Sequence, residues 1–340
     1  MDMLIRRCNR RENEGSPVLA ALTPQRLAQA AFLYYVEGLS QEQVSRQLGV
    51  SRSNVSRMLT SAREQKLVRF EIDYPTVRNH SLESAVQAQF GGTRLKTAVV
   101  VDVDADAVAV GSLLAVCRGA SAWLSGALRN GQTIGLSWGR TIQTLVDSTH
   151  FDGRWDVNVV QLSGVASLDP ARSGHDLVRD LAERIGGRYS YFNAPAVAPT
   201  KEVAASLAGS PLVASALRQA RSVDLAILGL AAFNEESSRL FLHEVAEATP
   251  EELAEAEAKG VIGQICGRFF DVTGAQVDIA LTERVLSIDL PDLRTIPSVA
   301  IVASGRTKAR ALASAVLGGL ADVIIVDSAL ARDLLTFSAG

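Results

Sequence analysis

Residues 38–59 read GLSQEQVSRQLGVSRSNVSRML, and this stretch decides the fold of the first part of the chain. Ser40 and Gln43 have the spacing of a capping box, in which each side chain binds a backbone N–H near the start of a helix. They predict a helix over residues 41–48. Gly49 follows directly, and glycine adopts the left-handed backbone of a tight turn at little cost. The chain is therefore predicted to leave a first helix by a sharp turn.

The turn leads into a second predicted helix, which Ser51 caps. Apolar residues recur along one face of this helix and can pack on the first. Short polar and cationic residues face outward near its start, namely Ser51, Arg52, Ser53, Asn54, Ser56 and Arg57. Arginine can bind guanine, asparagine can bind adenine and serine can bind phosphate, so these six are the predicted DNA contacts of a helix-turn-helix. An ordinary helical hairpin with a polar exterior is the alternative.

The segments on either side extend this motif. Residues 23–37 predict a preceding helix with apolar residues on its packing face. Alternating apolar residues over 68–72 predict a short strand, as in winged forms of the motif. Residues 1–20 contain four arginines and no sustained apolar run, which is typical of a flexible leader. A winged helix-turn-helix domain over residues 21–75 is therefore predicted.

Composition supports a second domain over residues 76–340. The chain has 340 residues, of which 47% are hydrophobic and 21% charged, and this is enough for two hydrophobic cores. Residues 1–75 contain 11 Lys and Arg against 8 Asp and Glu, whereas the rest of the chain contains 23 against 29. The small positive excess lies with the DNA motif. Phosphate contact is therefore expected from individual arginines rather than from a strongly basic surface.

Several classes of protein are disfavoured. No stretch has the length and composition of a signal peptide or a membrane span. The three cysteines are too few for a disulfide framework, and neither they nor the four histidines have metal-ligand spacing. A GxGxxG turn and a Walker loop are both missing, which argues against a nucleotide cofactor. We expect a cytoplasmic protein with no metal, no cofactor and no membrane partner.

From residue 81 onward, apolar strands alternate with amphipathic helices. The predicted strands are 97–101, 133–136, 157–162, 189–192, 223–228, 298–303 and 323–326. Runs such as VVV and VIIV are typical of strands buried on both faces, because neither face is polar. They predict a doubly wound, mostly parallel α/β domain. Ligands of such sheets lie at the carboxyl ends of the strands, where the next helix offers free N–H groups.

Two loops suit an anion at that edge of the sheet. GLSWGRT, residues 135–141, follows one predicted strand and offers two glycines, two hydroxyls and an arginine. ASGRTKAR, residues 303–310, follows another and contains Gly305 and Lys308. Glycines let the backbone approach a phosphate, and the helix N-terminus and the cations attract it. Each loop could equally be an ordinary strand-to-helix turn.

The chain resembles the SorC family of sugar-responsive bacterial transcriptional regulators over essentially its whole length. The helix-turn-helix, GLSWGRT, GVIGQICGRFFDVTG at residues 260–274 and the C-terminal VASGRTKARALASAVLGGLADVIIVDSALARDLL match that family. The resemblance implies an effector domain related to sugar-phosphate isomerases and deaminases. It also implies a phosphorylated sugar or polyol as effector, and a homo-oligomer that binds operator DNA. A tetramer is the expected assembly.

The resemblance also implies effector-binding residues. They are Ser137, Trp138, Gly139, Arg140, Thr141, Gln264, Asp271, Gly305 and Lys308, with Gln161 and Gly164 as weaker candidates. Asp271 could bind sugar hydroxyls, or it could cap the local backbone or pair with Arg268. Family members often have an acidic residue where Gln264 stands and a glycine where Ser304 stands. The first difference affects which sugar hydroxyls are recognised, and the second affects how closely the backbone can approach the effector.

Three function classes stay open on the sequence. The first is an effector-controlled regulator of a carbohydrate operon. The second is a sugar-phosphate isomerase or deaminase with an attached DNA-binding module, which needs a positioned acid and base. Residues 229–238, GLAAFNEESS, contain no histidine where related enzymes have a catalytic loop, so the enzyme is disfavoured. The third is a DNA-binding protein whose α/β domain only oligomerises.

Overall fold

The structure is a computed structural model that describes residues 23–68, 76–103, 109–151, 153–166, 173–233 and 236–337. The chain divides into two compact units, Met1–Asp73 and Tyr74–Gly340. The leader predicted for residues 1–20 and most of the strand predicted over 68–72 lie outside the described residues. Each unit is described by itself below.

Three helices form the described part of the first unit. They are α1, Pro24–Ala31, continued by a π-helical turn Phe32–Val36, then α2, Gln41–Leu48, and α3, Arg52–Glu64. Their shared core consists of buried side chains from all three helices, chiefly Leu27, Ala30, Val44, Leu48, Val55, Met58, Leu59 and Ala62. The spacing of these residues puts them on one face of each helix, which is why the three helices pack together.

The turn between α2 and α3 has the predicted chemistry. Gln43 Oε1 accepts a hydrogen bond from the Ser40 backbone N–H at 2.8 Å, and Ser40 Oγ accepts one from the Gln43 N–H at 3.3 Å. Gly49 has φ +66°, in the left-handed region. Ser51 Oγ then accepts from the Asn54 N–H at 3.2 Å and caps α3. The predicted helix-turn-helix fold is therefore confirmed in α2 and α3.

A parallel sheet of seven strands organises the described part of the second unit. The strands are β1 Thr97–Val101, β2 Thr133–Leu136, β3 Asn158–Gln161, β4 Arg188–Ser190, β5 Leu225–Gly229, β10 Ser298–Ala303 and β11 Val323–Asp327. Their order in the sheet is β1-β11-β10-β5-β2-β3-β4. The helices are α4 His80–Gln89, α5 Ala109–Ala127, α6 Arg140–Ser148, α7 Gly174–Ile185, α8 Lys201–Gly209, α9 Pro211–Arg221, α10 Glu236–Leu240, α11 Pro250–Ala258, α12 Leu290–Leu293, α13 Ala309–Leu317 and α14 Ser328–Leu335.

Helices cover both faces of this sheet. Along β10, Val299 and Ile301 point to one face, where α4, α13 and α14 pack, whereas Ala300 and Val302 point to the other, where α5, α6 and α7 pack. Both faces are buried, because an apolar strand leaves neither face suited to water. The predicted doubly wound α/β fold is confirmed.

A second, smaller sheet is antiparallel. Its strands are β6 Ala231–Ala232, β7 Gly263–Ile265, β8 Arg268–Phe270 and β9 Gln276–Val277, in that order. Cys266 and Gly267, both at positive φ, form the two-residue turn between β7 and β8. This sheet continues directly from β5, so it lies beside the carboxyl edge of the large sheet. Within the described ranges, no helix has the length and hydropathy needed to cross a membrane.

Candidate functional site

A cleft of about 660 Å³ opens at the carboxyl edge of the parallel sheet. Its position follows from the strand order. From β2 the chain proceeds through β3 and β4 toward one edge, whereas from β5 it proceeds through β10 and β11 toward the other. The neighbouring strands β5 and β2 therefore mark the point where the winding reverses, and the loops that follow them separate. Open α/β sheets bind ligands in such crevices.

Eight of the nine predicted effector residues line this cleft. They are Ser137, Trp138, Gly139, Arg140, Thr141, Gln264, Gly305 and Lys308. The first three form the loop between β2 and α6, Arg140 and Thr141 begin α6, and the last two lie in the loop and 3₁₀ turn after β10. Gln264 reaches the cleft from β7 of the small sheet, where its side chain is buried. Two sequence segments about 165 residues apart thus meet because β5 alone separates their strands.

Two glycines give both loops a backbone that other residues adopt rarely. Gly139 has φ +120° and ψ 173° at the N-cap of α6. Gly305 has φ +103° and ψ 132° at the N-cap of the 3₁₀ turn Arg306–Lys308, which leads into α13. A side chain at either position would strain the backbone, although there is room for a Cβ. Both turns therefore begin a helix at the edge of the cleft, where backbone N–H groups favour an anion.

Polar side chains hold these loops in place. Ser137 Oγ accepts a hydrogen bond from the Gly229 N–H at 3.1 Å and so ties the β2 loop to the end of β5. Asp327, which is 2% exposed, accepts from the Gly305 N–H at 2.7 Å and from the Leu330 N–H at 2.7 Å. One carboxylate therefore fixes the Gly305 turn and caps α14 at the same time.

Replacing Asp327 by asparagine is expected to weaken both the fold and the loop. The amide group would present an N–H₂ to one of the two backbone donors, which costs about 1–3 kcal/mol of stability for a buried polar group left unpaired. Urea unfolding would measure this loss, and calorimetric titration with inorganic phosphate would measure any accompanying change in anion binding by the cleft.

The matched control for that substitution is Asp224→Asn. Asp224 also accepts a backbone N–H, from Thr133 at 2.8 Å, but at the amino end of the sheet and exposed to solvent. It should change neither property much. If Asp327→Asn lowered stability but left binding equal to that of the control, Asp327 would serve the fold alone.

The cationic side chains around the cleft differ in their ion pairs and in their exposure to solvent. Arg140 Nη2 lies 3.5 Å from Glu236 Oε1, and both side chains are mostly exposed. Arg306 is held by Asp333 through two bonds of 2.8 Å. Lys308 is only 7% exposed, so its ammonium group acts at short range in a partly dehydrated setting. These cations favour an anionic ligand.

The remaining wall is apolar. The Trp138 and Phe241 rings lie 5.9 Å apart, centroid to centroid, and Leu113 and Leu240 also line the cleft. Burial raises the pKa of the Cys266 thiol to about 12, so this lining residue is neutral near pH 7. The wall can pack against the C–H faces of a small polar molecule, whereas the loops bind its charged end.

Asp271 is the predicted effector residue that the structure does not place with the others. Its Oδ1 accepts from the Thr273 N–H at 2.8 Å and from the Ala275 N–H at 3.1 Å, in the turn between β8 and β9. Burial alone would raise the pKa of Asp271, but these bonds lower it below its usual value. Of the roles considered, capping the local backbone is the one observed. Arg268 pairs instead with Asp289 at 3.0 Å.

The weaker candidates Gln161 and Gly164 also lie outside the lining. Gln161 Oε1 accepts from the Phe192 N–H at 2.9 Å, so the buried amide joins β3 to the segment after β4. A Cβ at Gly164 would overlap the backbone of Pro195. Both residues therefore have a packing role in this structure.

Sequence reasoning missed four charged residues of the lining: Glu236, Arg306, Asp327 and Arg332. Asp327 had a detectable signal, since it ends the strand run VIIVD at the edge where ligands bind. Arg332 lies one helical turn into α14, and Glu236 begins α10. Nothing in the sequence around these two residues distinguishes them from ordinary surface charges.

The predicted DNA-contact residues are at the start of α3. Ser51, Arg52, Ser53, Ser56 and Arg57 are exposed, and Asn54 is half-buried. Arg57 donates a hydrogen bond to Asn54 Oδ1, so its guanidinium orients that amide. The side chains therefore present donors and acceptors at the end of the helix that enters a major groove in such motifs.

Both units match families of known proteins. Residues 74–336 match the family model "Putative sugar-binding domain", and residues 22–75 match the MarR family. The crystal structure of the full-length sorbitol operon regulator SorC from Klebsiella pneumoniae is similar to this chain with a TM-score of 0.67 and 26% identity. That similarity covers 92% of this chain and 99% of the other. The chain belongs to the SorC family of sugar-responsive bacterial transcriptional regulators.

Other relatives of this SorC-family regulator agree. The sorbitol operon regulator sequence of Klebsiella pneumoniae is 27% identical and covers 91% of this chain and 97% of the relative. The deoxyribonucleoside regulator of Bacillus subtilis is 27% identical and covers 90% and 96%. These relatives are named as regulators, which supports the predicted regulator and not the enzyme alternative.

Proposed function

We propose that this SorC-family regulator binds operator DNA of a carbohydrate-metabolism operon in the cytoplasm, and that a phosphorylated sugar or polyol in the cleft controls its operator affinity. The observation that supports this most directly is the meeting of two glycine-containing loops, each at a helix N-terminus, with Arg140 and Lys308 beside them. Such N-termini are favourable sites for phosphate groups.

The charge of the lining favours an anionic ligand such as a phosphate ester. Four lining residues are cationic and two are acidic: Arg140, Arg306, Lys308 and Arg332 against Glu236 and Asp327. Arg306 is paired with Asp333, which lies outside the lining, so the net excess of the lining is one positive charge, and a phosphate monoester has a charge of about −1.5 to −2 near pH 7. We assign the phosphate to the N–H groups of residues 139–141 and of Arg306, with Lys308 as the buried cation.

The sugar part would extend from these loops along the cleft. The Gln264 amide can both donate to and accept from hydroxyl groups, whereas a carboxylate can only accept. Ser137 and Thr141 offer further hydroxyls, and Trp138 offers an apolar face for the C–H bonds of the sugar. These side chains suit a hydroxylated carbon chain.

The DNA-binding part, which we take as residues 21–75, would act in a homo-oligomer, with residues 76–340 as the effector and oligomerisation part. Two recognition helices must reach successive major grooves about 34 Å apart, and one chain has a single α3. A tetramer supplies two such pairs. An effector that favours one arrangement of the oligomer would shift operator affinity by about 1–3 kcal/mol, or ~5- to 150-fold.

A thermal-shift panel tests the effector class. Purified protein is heated with phosphorylated pentoses, hexoses and polyols, each beside its unphosphorylated form. A compound at 100 times its Kd contributes about 2.7 kcal/mol, which raises the melting temperature measurably. We expect at least one rise that requires the phosphate group. Rises with free sugars alone would contradict the phosphate site, and turnover of a bound compound would select the enzyme instead.

A further inference from the structure

The segment Thr76–His80, called here the lead-in segment, begins the described part of the second unit. It lies along the end of β1. Asn79 N–H donates to the Val100 carbonyl at 2.8 Å, and Asp102 N–H donates to the Val77 carbonyl at 2.7 Å. The stretch that leads from the DNA-binding unit is therefore fixed to the carboxyl end of a strand of the effector sheet.

Glu83 of α4 is the side chain that binds this segment most extensively. Its two oxygens accept from Arg78 Nε at 2.7 Å and Nη2 at 2.9 Å, and Oε2 lies 2.8 Å from His80 Nδ1. Oε1 also accepts from the Val100 N–H at 3.1 Å. Burial alone would raise the pKa of Glu83, but these bonds lower it, so the group is a carboxylate near pH 7. One buried carboxylate thus joins α4, β1 and the lead-in segment.

The same end of β1 borders the cleft. Val103, which directly follows Asp102, lines the cleft, and its N–H donates to Ser328 Oγ at 3.3 Å at the start of α14. Helix α14 contributes Ala329 and Arg332 to the lining. A molecule that fills the cleft can therefore contact Val103, the chain neighbour of Asp102, whose N–H binds the lead-in segment.

Two helices make further contact between the cleft and this region. Helix α5 contributes Ser112 and Leu113 to the lining, and it packs so closely on β1 that a Cβ at Gly119 would lie 2.6 Å from Val101 Cγ2. Helix α14 packs on α4, the helix of Glu83. Packed elements of this kind move together rather than deform, because protein interiors are close-packed.

We propose that Glu83 is a positioning residue that couples occupation of the cleft to the lead-in segment, and through it to the DNA-binding unit. The inference rests on the proposed function, since it needs an effector in the cleft. An effector that contacts Val103 and α14 would favour one placement of the β1 end, and the Glu83 carboxylate passes that placement to Arg78. The coupling is a free energy, so it acts in both directions.

The experiment measures coupling rather than binding. Full-length wild-type and Glu83→Gln proteins are titrated with a DNA fragment selected by the wild type from a random-sequence pool. Each titration is done with and without the phosphorylated compound that gives the largest thermal shift, and with inorganic phosphate as a second probe. The measured quantity is the ratio of the DNA affinities with and without the compound. We expect this ratio to differ from one in the wild type and to fall to within about 2-fold of one in Glu83→Gln. The affinity for the phosphorylated compound without DNA should change by less than about 3-fold.

Glu255→Gln is the matched control. Glu255 also accepts a backbone N–H, from Ala280 at 2.9 Å, and pairs with Lys259 at 2.9 Å, but it lies on α11. It should keep the wild-type ratio. If Glu83→Gln does not fold, Arg78→Gln removes the same pair at a half-exposed position, and Arg78→Lys should restore part of the ratio.

The outcomes separate the two proposals. A wild-type ratio retained in both Glu83→Gln and Arg78→Gln would overturn the coupling role, even if stability fell. If the DNA affinity of the wild type is the same with and without every probe, the proposed effector control is contradicted, and this inference fails with it. A lost ratio with the cleft still binding its compound would support the assignment, because a purely structural role would not separate the two.

Discussion

Replacing Lys308 by methionine is expected to reduce affinity for a phosphorylated effector by about 10- to 150-fold and to remove the effector response of DNA binding. A hydrogen bond to a charged group contributes about 1.5–3 kcal/mol, and burial of Lys308 limits the water that could replace it. Methionine has a similar length and suits a buried position, so the fold should persist. Calorimetric titration of the effector gives the affinity, and DNA titrations with and without the effector give the response.

Lys201→Met is the control for this substitution. Lys201 lies on α8, where it pairs with Glu283 at 3.4 Å and does not line the cleft. It should bind the effector like the wild type. Loss of effector-free DNA binding in Lys308→Met, together with a lower melting temperature, would mean that Lys308 supports the fold and would contradict its role in phosphate binding.

The second large effect concerns α3. Arg52→Ala or Asn54→Ala should weaken binding to the preferred DNA sequence by about 1–3 kcal/mol, or ~5- to 150-fold, because each removes a side chain suited to a base edge. Both variants should also bind a wider range of sequences. Selection from a random-sequence pool, followed by fluorescence titration of the selected fragments, measures both effects.

The contact between Arg57 and Asn54 provides a second test of the role of Asn54. Arg57 orients the Asn54 amide, so Arg57→Ala should relax sequence preference at the same base as Asn54→Ala, and the double variant should show less than the sum. Arg218→Ala, on α9 of the other unit, should leave DNA binding unchanged. An unaltered sequence preference in both Arg52→Ala and Asn54→Ala would rule them out as base contacts.

The large sheet could be predicted from the sequence because its strands are apolar on both faces. Strands β1 and β2 occur at the predicted residues, and β10 does as well. Their β-branched runs differ clearly from the amphipathic helices between them. Ligands of such sheets bind at the carboxyl ends of the strands. The placement of the Gly139 and Gly305 loops at that edge could therefore be anticipated.

The small antiparallel sheet could not be predicted in the same way. Its strands are two or three residues long, and an alternating pattern is not recognisable over so few residues. This affects the site directly, because Gln264 lies on β7 and Asp271 follows β8. The sequence FFD does not reveal that a turn of five residues binds the Asp271 carboxylate to its own backbone.

The contact between Arg140 and Glu236 means that an anion in the cleft competes with a carboxylate of the protein. An anion that binds Arg140 takes the place of a carboxylate, so the reaction is an exchange of counter-ions rather than a simple addition. An exposed pair of this kind contributes about 0–1 kcal/mol, which corresponds to at most ~5-fold in concentration. Glu236 would thereby raise, by up to that factor, the concentration at which any anion occupies Arg140, so that a molecule with further contacts in the cleft is favoured over a simple anion.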